Sequence, residues 1–560
     1  MNNDTACRPK VENGQNTAEF VRFDDVGGQA RLFLDHLAGV DAIRGFYADV
    51  PRDIEGLGSF APEVLASYTA DRASVCDALE KLNKNIGNDA AALQSVDRLR
   101  SPGTVAVLTG QQAGFLGGPL YTIYKALSAI RLADSLTAAG VEAVPIFWAA
   151  TEDHDLDEVA VAHLTDADGT PFDVRFVPAI ELPEASVGEL VVGPDTGPVI
   201  RQALGRCRPS ESADAILDAA LAAYEPGERF GTAFCRLLAS YFRGTGLIFA
   251  DPMEPGLKAA SRDLIAEAIR NAAEINGAVR ARDAELAALG YLPQVLVDEG
   301  HLPLFLRTEA GQRSALRKSG PDTFKLRATG ATINGAELLR IADAEAERLS
   351  AGALLRPVVQ DQIFPTVCYV GGAAEIAYFA QSSAVYDTLG RPRTPIIHRR
   401  SVTVLAARHR RAMSRYELKF SDVLKGRKHV LDKVGETLIT GETDEAFEAA
   451  RAAVELRLDE LQRVVEAADT TLLRNLERRR ARILYHLDAL REKTKRALVR
   501  RSDDAERRLT ALMNEAFPFD ALQERSISST EMLAELGLGF IEELSQRLDP
   551  FESRHLVFYP

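Results

Sequence analysis

The chain has 560 residues, of which 46% are hydrophobic and 26% charged, and its 81 acidic side chains outnumber 66 Lys and Arg for a net charge of −15. This length exceeds one domain and supplies a sizeable core, and the composition is that of a globular protein. The acidic balance argues against a nucleic-acid partner, and the lack of a long apolar run or a basic-apolar start argues against a membrane span or secretory signal.

Residues 1–100 start with a polar stretch, Met1 to Gln15, that predicts disorder, and continue in helical patterns that are clearest over Ala66–Leu93. Residues 101–164 read as the first part of a Rossmann-like core. Val105 to Leu108 form a short apolar run typical of a buried parallel strand. A loop with Gly110, Gly114, Gly117 and Gly118 follows, and Pro119 is placed to open a helix over Tyr121–Leu136. Val144 to Trp148 return as a second buried strand that delivers Glu152, Asp153, His154, Asp155 and Asp157 to the same sheet edge.

Residues 165–241 change pattern: D-A-D-G-T-P signals a turn, V-R-F-V-P and L-V-V-G read as small strands, and the segment is a first insertion. The core resumes over 242–290 with G-L-I-F-A-D-P, a strand ending in Asp251, and a helix through Gly277–Leu289. Residues 291–350 read as a second insertion of small antiparallel strands, among them Gln294–Val297, Leu302–Leu306 and the T-F-K-L-R stretch. Core elements return over 351–440 in R-P-V-V-Q-D and G-G-A-A-E-I-A-Y. Residues 441–515 are rich in Glu, Arg, Ala and Leu, and Leu461, Val465, Ala468, Leu472, Leu476, Ile483, Leu487, Leu490 and Leu498 fall near three-four spacing. That predicts a coiled coil whose helices either fold back or pair with another chain, with the length favouring a homodimer. Residues 516–560 are expected to pack on the core.

A glycine-rich strand-to-helix loop aims backbone N–H groups and a helix N-terminus at whatever sits above the sheet, and so favours an anion. The spacing is neither G-x-G-x-x-G nor a Walker A loop. On this reading Thr109, Gly110, Gln111, Gln112, Gly114, Gly118, Tyr121, Tyr124 and Lys125 form one side of a nucleotide or substrate site, and Glu152 belongs to the other. Lys125 either reaches the same charge or pairs with a carboxylate, and Trp148 either packs in its strand or stacks on a ligand. His154 is the candidate general base, oriented by Asp153 and Asp155, because an imidazole titrates near neutral pH; the alternatives are a nucleotide contact or a structural imidazole hydrogen-bonded to backbone. The same aspartates offer oxygen ligands for Mg²⁺, and Asp157 and Glu158 are equally suited to capping the next segment. Arg356, Gln360, Asp361, Gly371, Gly372 and Glu375 form a second polar set on segments that otherwise look buried, with Arg356 and Asp361 either gripping ligand or pairing internally. Tyr378 reads as packing. The five cysteines (Cys7, Cys76, Cys207, Cys235, Cys368) show no C-x-x-C and predict reduced thiols in a cytoplasmic protein. A zinc site is not supported, since cysteines and histidines lack ligand spacing.

The stretches T-G-Q-Q-A-G-F-L-G-G-P-L-Y-T-I-Y-K and F-W-A-A-T-E-D-H-D-L-D-E resemble the bacillithiol synthase family, BshC. The likeness continues in L-L-R-P-V-V-Q-D-Q-I-F-P-T (Leu354–Thr366), G-G-A-A-E-I-A-Y-F-A-Q (Gly371–Gln381) and L-Q-E-R (Leu522–Arg525), and so covers nearly the whole chain. The resemblance implies an α/β fold: a Rossmann-like nucleotide-binding core, akin to class I aminoacyl-tRNA synthetases and nucleotidylyl transferases, with two connective insertions and a C-terminal α-helical coiled coil. It implies a ligase that adds L-cysteine to glucosamine-malate in the last step of bacillithiol synthesis, with ATP (or an ADP-type nucleotide) and Mg²⁺, through cysteinyl adenylate or an acyl phosphate. On that reading His154 deprotonates the glucosamine ammonium and Arg356 grips the malate carboxylates. The H-I-G-H motif of the wider fold family corresponds here to Gly118–Lys125, where Tyr121 and Tyr124 replace the histidines. No K-M-S-K-S loop is present, and His398, Arg399 and Arg400 are a faint substitute. Two rival readings stand beside this one: a nucleotidylyl transferase activating another small carboxylate, and a coiled-coil scaffold that only senses a nucleotide.

Overall fold

The computed structural model of the chain describes residues 18–560 except 181 and 183, so the Met1–Gln15 stretch and Cys7 lie outside the described residues. The chain divides into two compact units: Gly28–Val402 with Glu524–His555, and Met1–Gly27 with Thr403–Gln523 and Leu556–Pro560.

The early helices of the larger unit include α1 (Ile54–Ser67), α2 (Arg72–Asn85) and α3 (Ala90–Leu99). The expected helical stretch Ala66–Leu93 is therefore interrupted twice. Asp71 and Asp89 stand in extended conformation at the two breaks, and their carboxylates accept first-turn N–H groups of α2 and α3. The expected strand–loop–helix–strand follows as β1 (Val105–Gln112), α4 (Tyr121–Ala138) and β2 (Ala143–Ala150).

Among the described residues of the first insertion, β4 (Pro171–Arg175) forms a ladder with β3 (Val161–Thr165), the strand that leads into it. The rest is helical, in α5 (Thr196–Leu204), α6 (Ala213–Ala223) and α7 (Phe230–Tyr241). The L-V-V-G stretch makes only isolated bridges, Val192 with Pro178 and Val191 with Arg229. The core resumes with β5 (Ile248–Ala250), α8 (Pro255–Arg270) and α9 (Ala272–Ala288). Gln294–Val297 is not a strand: both backbone polar groups of Val295 are bonded to the Gln381 side chain, and Pro293 has no N–H for a ladder.

A second sheet contains β6 (His301–Arg307), β7 (Arg313–Gly320), β8 (Thr323–Leu326), β9 (Thr332–Asn334) and β10 (Leu349–Ala351). It is antiparallel in the order β9-β8-β7-β6-β10, and α10 (Gly335–Ala344) leads into its last strand. Then come α11 (Arg356–Ile363), β11 (Thr366–Gly371), α12 (Ala373–Thr388) and β12 (Ile396–His398).

The central sheet is parallel throughout, in the order β12-β11-β1-β2-β5. Its strands are buried on both faces and read as continuous apolar runs for that reason. One face is covered by Leu57, Phe60 and Val64 of α1 and Ala129, Leu132 and Leu136 of α4, packed on Val105, Val107, Val367 and Val370. Each such side chain contributes roughly 1.5–3 kcal/mol by leaving water. From β1 the chain proceeds outward through β2 and β5 on one side and later through β11 and β12 on the other. The order reverses between β1 and β11, the place in an open parallel sheet where ligand sites are commonly found.

In the smaller unit α13 (Gly441–Ala468) and α14 (Leu473–Arg501) form an antiparallel hairpin, followed by α15 (Asp503–Ala516). The ion pairs Arg451–Asp488, Asp459–Arg480 and Asp444–Arg491 run down the hairpin in opposite chain directions, so these helices fold back on each other. Leu456, Leu461, Val464 and Ile483 remain exposed on it. Among the described residues no helix is long and apolar enough to cross a membrane.

One glycine of the loop strand is dictated by the sheet. A Cβ at Gly110 would lie 2.7 Å from the Trp148 carbonyl oxygen on β2, which is backbone and has no freedom to swing away. Gly110→Ala is expected to destabilise the larger unit by about 1–3 kcal/mol. Gly277→Ala, in α9 with nothing near its Cβ, is the control and should leave the melting temperature unchanged or slightly raised.

Candidate active site at the carboxyl edge of the sheet

Lys125 sits one turn into α4 and is 3% exposed. Its three ammonium protons go to the Gly110 carbonyl at 2.7 Å, Gln111 Oε1 at 3.0 Å and Glu375 Oε2 at 2.5 Å. Of the two roles its position suggested, the structure shows the carboxylate pair. Glu375, in the first turn of α12, also accepts the Gly372 N–H at 2.6 Å and the Tyr369 hydroxyl at 2.8 Å. Burial pulls the Lys125 ammonium down to about 8, with the Glu375 charge opposing. Burial would raise Glu375, but Lys125, the Gly372 N–H and Arg356 hold it below the ordinary carboxylate value. Both directions leave the pair ionised at neutral pH, bridging β1 and α12 across the reversal point.

The glycine-rich loop is not an open cradle. Residues 113–118 are buried. The N–H groups of Leu116, Gly118 and Leu120 already donate to the Tyr224 hydroxyl, the Phe115 carbonyl and the Ile527 carbonyl. The Leu116 carbonyl in turn accepts from the Ser528 and Thr530 hydroxyls at 2.8 and 2.7 Å. Gly117 (φ +79°) lies so close that a Cβ would meet Ser529 Oγ at 2.4 Å, and a Cβ on Gly114 would meet the Gly118 Cα at 2.7 Å. Gly117 allows close packing of the 527–530 segment, and Gly118, one of the backbone donors that the sequence suggested for an anion, has an internal partner. Thr109 likewise turns inward, donating to the Val370 carbonyl at 2.8 Å. Tyr124 is fully buried with an unpartnered hydroxyl, and Trp148 packs edge-on against Phe364 within the core.

The residues left facing the edge are Gln111, Tyr121 and, from the second set, Arg356 and Glu375. Gln111 donates to the Tyr121 hydroxyl at 3.3 Å, and the Arg399 guanidinium stands 5.3 Å over the Tyr121 ring. Arg399 is held by a buried two-pronged pair with Glu524 at 2.8 and 3.0 Å, a link between residues far apart in sequence. Arg356 donates to the Tyr378 hydroxyl, giving Tyr378 a polar role beyond packing, and leaves its Nε unpartnered. One turn on, both amide atoms of Gln360 are buried without a partner. A buried amide and guanidinium with unmet hydrogen-bonding capacity fit a polar ligand group. Arg356 and Asp361 do not pair. Asp361 turns away to accept the Tyr386 and Thr394 hydroxyls, and burial pushes it up to about 7 against those hydrogen bonds.

The acidic tip after β2 is tied down one residue at a time. Glu152 is paired with Lys258 of α8, which also donates to the Leu349 carbonyl of β10. Asp153 accepts the His154 N–H and the Gln112 amide, each at 2.8 Å, and lies 3.6 Å from Arg313. Burial alone would raise its pKa, but these partners hold Asp153 well below the ordinary carboxylate range. Asp155 caps the short helix Leu156–Val159, a role expected of Asp157 or Glu158. Asp157 instead pairs with Arg175, and Glu158 accepts from Gln112. Asp251 accepts from Thr151 and the Met253 N–H at the end of β5, and burial brings it up to about 6. His154 is left facing a cleft of about 620 Å³ lined also by Phe305, Arg313, Arg317 and Arg327 of the second sheet. Arg313 and Lys258 were not singled out in the sequence, because only folding brings them to this edge; Arg399 entered there only as part of the faint substitute for a K-M-S-K-S loop, and Glu524 only within the L-Q-E-R motif.

The architecture is that of a Rossmann-like α/β protein with a helical hairpin domain and a polar site at the reversal point of a parallel sheet. Residues 21–401 match the model of the N-terminal Rossmann-like domain of bacillithiol biosynthesis BshC, and residues 402–560 match its C-terminal coiled-coil domain. A protein of Koribacter versatilis is 33% identical over 542 residues, covering 93% of this chain and 96% of its own length. One of Solibacter usitatus is 34% identical (92% and 95% covered), and one of Salinibacter ruber 32% identical (95% and 96%). All three carry the name "Putative cysteine ligase BshC". The chain belongs to the BshC family.

The raised Asp361 carboxyl yields a signed prediction. An acid whose pKa is higher folded than unfolded holds its proton longer in the native state, so stability is full below the unfolded value near 3.8 and falls as pH rises to about 7. Asp361→Asn keeps an acceptor for both hydroxyls and cannot ionise. Between pH 5 and pH 7.5 the melting temperature of the wild type should fall more than that of the variant, and equal falls would refute the assignment.

Proposed function

We propose that this protein is an ATP-dependent amide ligase that joins L-cysteine to the amine of glucosamine-malate. Membership of the BshC family along both halves of the chain carries this reading, and the polar edge at the sheet reversal supports it. Amide formation from an amine and a carboxylate in water is uphill, and ATP, when bound, supplies the activation of the carboxyl group. The amine nitrogen bonds the cysteine carbonyl carbon and releases a proton, while the carboxyl oxygen would depart as part of the phosphate or AMP derived from ATP.

The chain's own groups suit binding and orientation. Arg356, with a free Nε beside the unpartnered Gln360 amide, offers a planar donor set for a substrate carboxylate. Gln111, Tyr121 and Arg399 offer polar and aromatic surface for the nucleotide on the opposite side of the Lys125–Glu375 pair, and Mg²⁺ would accompany its phosphates. A cytoplasmic setting agrees with the four buried free thiols, Cys76, Cys207, Cys235 and Cys368. The test is a mass-spectrometric assay of the full chain with ATP, Mg²⁺, L-cysteine and glucosamine-malate. Cysteinylated product is expected, and Arg356→Lys should lower kcat/KM for the carboxylate-bearing substrate by about 10- to 100-fold, the worth of a charged hydrogen bond. Pyrophosphate exchange with a different acid and no product would favour the nucleotidylyl-transferase alternative.

The apolar residues left exposed on the hairpin, Leu456, Leu461, Val464 and Ile483, also support a homodimer through the coiled coil. Light scattering should give twice the chain mass, and Leu461→Asp with Val464→Asp should return it to the monomer value. A monomeric wild type would end this proposal.

A further inference from the structure

Arg313, at the start of β7, is the most constrained cation of the second sheet, with 9% of its side chain exposed. Its Nε donates to Ser350 Oγ at 2.9 Å, one terminal nitrogen donates to the Ala351 carbonyl at 3.3 Å, and its plane lies 3.7 Å over the Phe305 ring. These contacts leave Nη1 facing His154 Nδ1 at 3.3 Å. A guanidinium keeps its protons in proteins and has no lone pair to offer, so it meets an imidazole nitrogen only as donor. His154 Nδ1 therefore presents its lone pair, and the neutral ring carries its proton on Nε2. The other candidate for Nδ1, Asp153 Oδ1, lies farther off, at 3.5 Å, the outer limit of a hydrogen bond. Nε2 has no partner among the described residues, and the charged and titratable groups that line the 620 Å³ cleft with His154 are Arg313, Arg317, Arg327, His301, Glu184 and Asp298, three cations against two carboxylates. Of these, Arg317 is paired with Asp298 at 2.7 Å.

We infer that Arg313 fixes His154 as the Nε2–H tautomer, and that this N–H is a donor in an anion-receiving subsite of the cleft that takes a carboxylate or phosphate oxygen of a substrate. The inference rests on the ligase reading for the identity of that substrate. It gives His154 a role other than the general base expected from the sequence, because Nδ1 is occupied and Nε2 already holds a proton. Arg313 acts through the imidazole and is a positioning residue. It also explains why the second insertion carries a buried arginine beside the tip of β2: the small sheet completes a site that the core leaves open on that side.

Selective ¹⁵N labelling of histidine in the full-length protein tests the tautomer directly, with His154 identified by its loss in His154→Gln. At neutral pH Nδ1 should resonate as an unprotonated nitrogen and Nε2 as a protonated one, and Arg313→Met should shift both toward the mixed values of a free ring. Titration with L-malate and with pyrophosphate should move the Nε2–H signal for one of the two probes, and that probe names the source of the anion. In the ligase assay His154→Gln, which retains an N–H donor, should stay within about tenfold of wild type, while His154→Ala should lose about 100-fold, as for removal of one oriented donor. A protonated Nδ1, an Nε2–H signal unmoved by either probe, or a glutamine variant as impaired as the alanine variant would overturn the inference. A wild type that makes no product would refute the ligase reading alone, since the nuclear magnetic resonance arms decide the subsite without turnover.

Discussion

A buried ammonium must have every proton accepted, and at the centre of this protein Lys125 meets that demand with acceptors from β1 and α12. Removing one partner of such a pair leaves an uncompensated charge in the interior, at a cost of about 3–5 kcal/mol. The consequence is geometric as well as energetic. Glu375 is simultaneously bound by the Gly372 N–H and the Tyr369 hydroxyl, so the start of α12 is held against β11 and α4 together. Tyr378, one turn further along α12, then places the Arg356 guanidinium. The reversal point of the sheet is thereby lined by charges whose positions are set before any ligand arrives, the arrangement in which oriented dipoles act most strongly.

The second organising element is the return of the chain near its end. Residues 524–555 leave the smaller unit's sequence neighbourhood and rejoin the larger unit. There Ser528 and Thr530 satisfy the Leu116 carbonyl, Ile527 takes the Leu120 N–H, and Glu524 neutralises Arg399. These contacts close the glycine-rich loop from above. A glycine at 117 is demanded by that closure and one at 114 by the tight turn of the loop on itself at Gly118. The acidic tip after β2 follows the same logic with opposite charge: Lys258 and Arg313 come from α8 and the second sheet to balance Glu152 and Asp153. An isolated reading of the E-D-H-D run overstates the free acidity of the site, because three of its four polar side chains are engaged in pairing, capping or holding the turn.

The sequence by itself determined the parallel sheet, the helix after the glycine-rich loop, the small antiparallel sheet of the second insertion and the long helices of the coiled coil. Each rests on local pattern: apolar runs for strands buried on two faces, three-four spacing for helices, Gly and Pro for the turns. It also grouped the candidate residues that follow β1 and β2 at one sheet edge, since the carboxyl ends of parallel strands share that edge in a doubly wound sheet. Only the tertiary structure decided what those residues do there. Whether Lys125 faces a phosphate or Glu375, whether Asp361 is ionised, and which nitrogen of His154 carries the proton depend on partners 14 to several hundred positions away. Gln294–Val297 shows the same limit on the fold side: its strand-like pattern gives way to a distant glutamine that offers its backbone both hydrogen bonds. Hydrophobic periodicity is a local property of the chain, whereas hydrogen-bond satisfaction and charge balance in a low-dielectric interior are properties of whatever the fold places within about 3 Å.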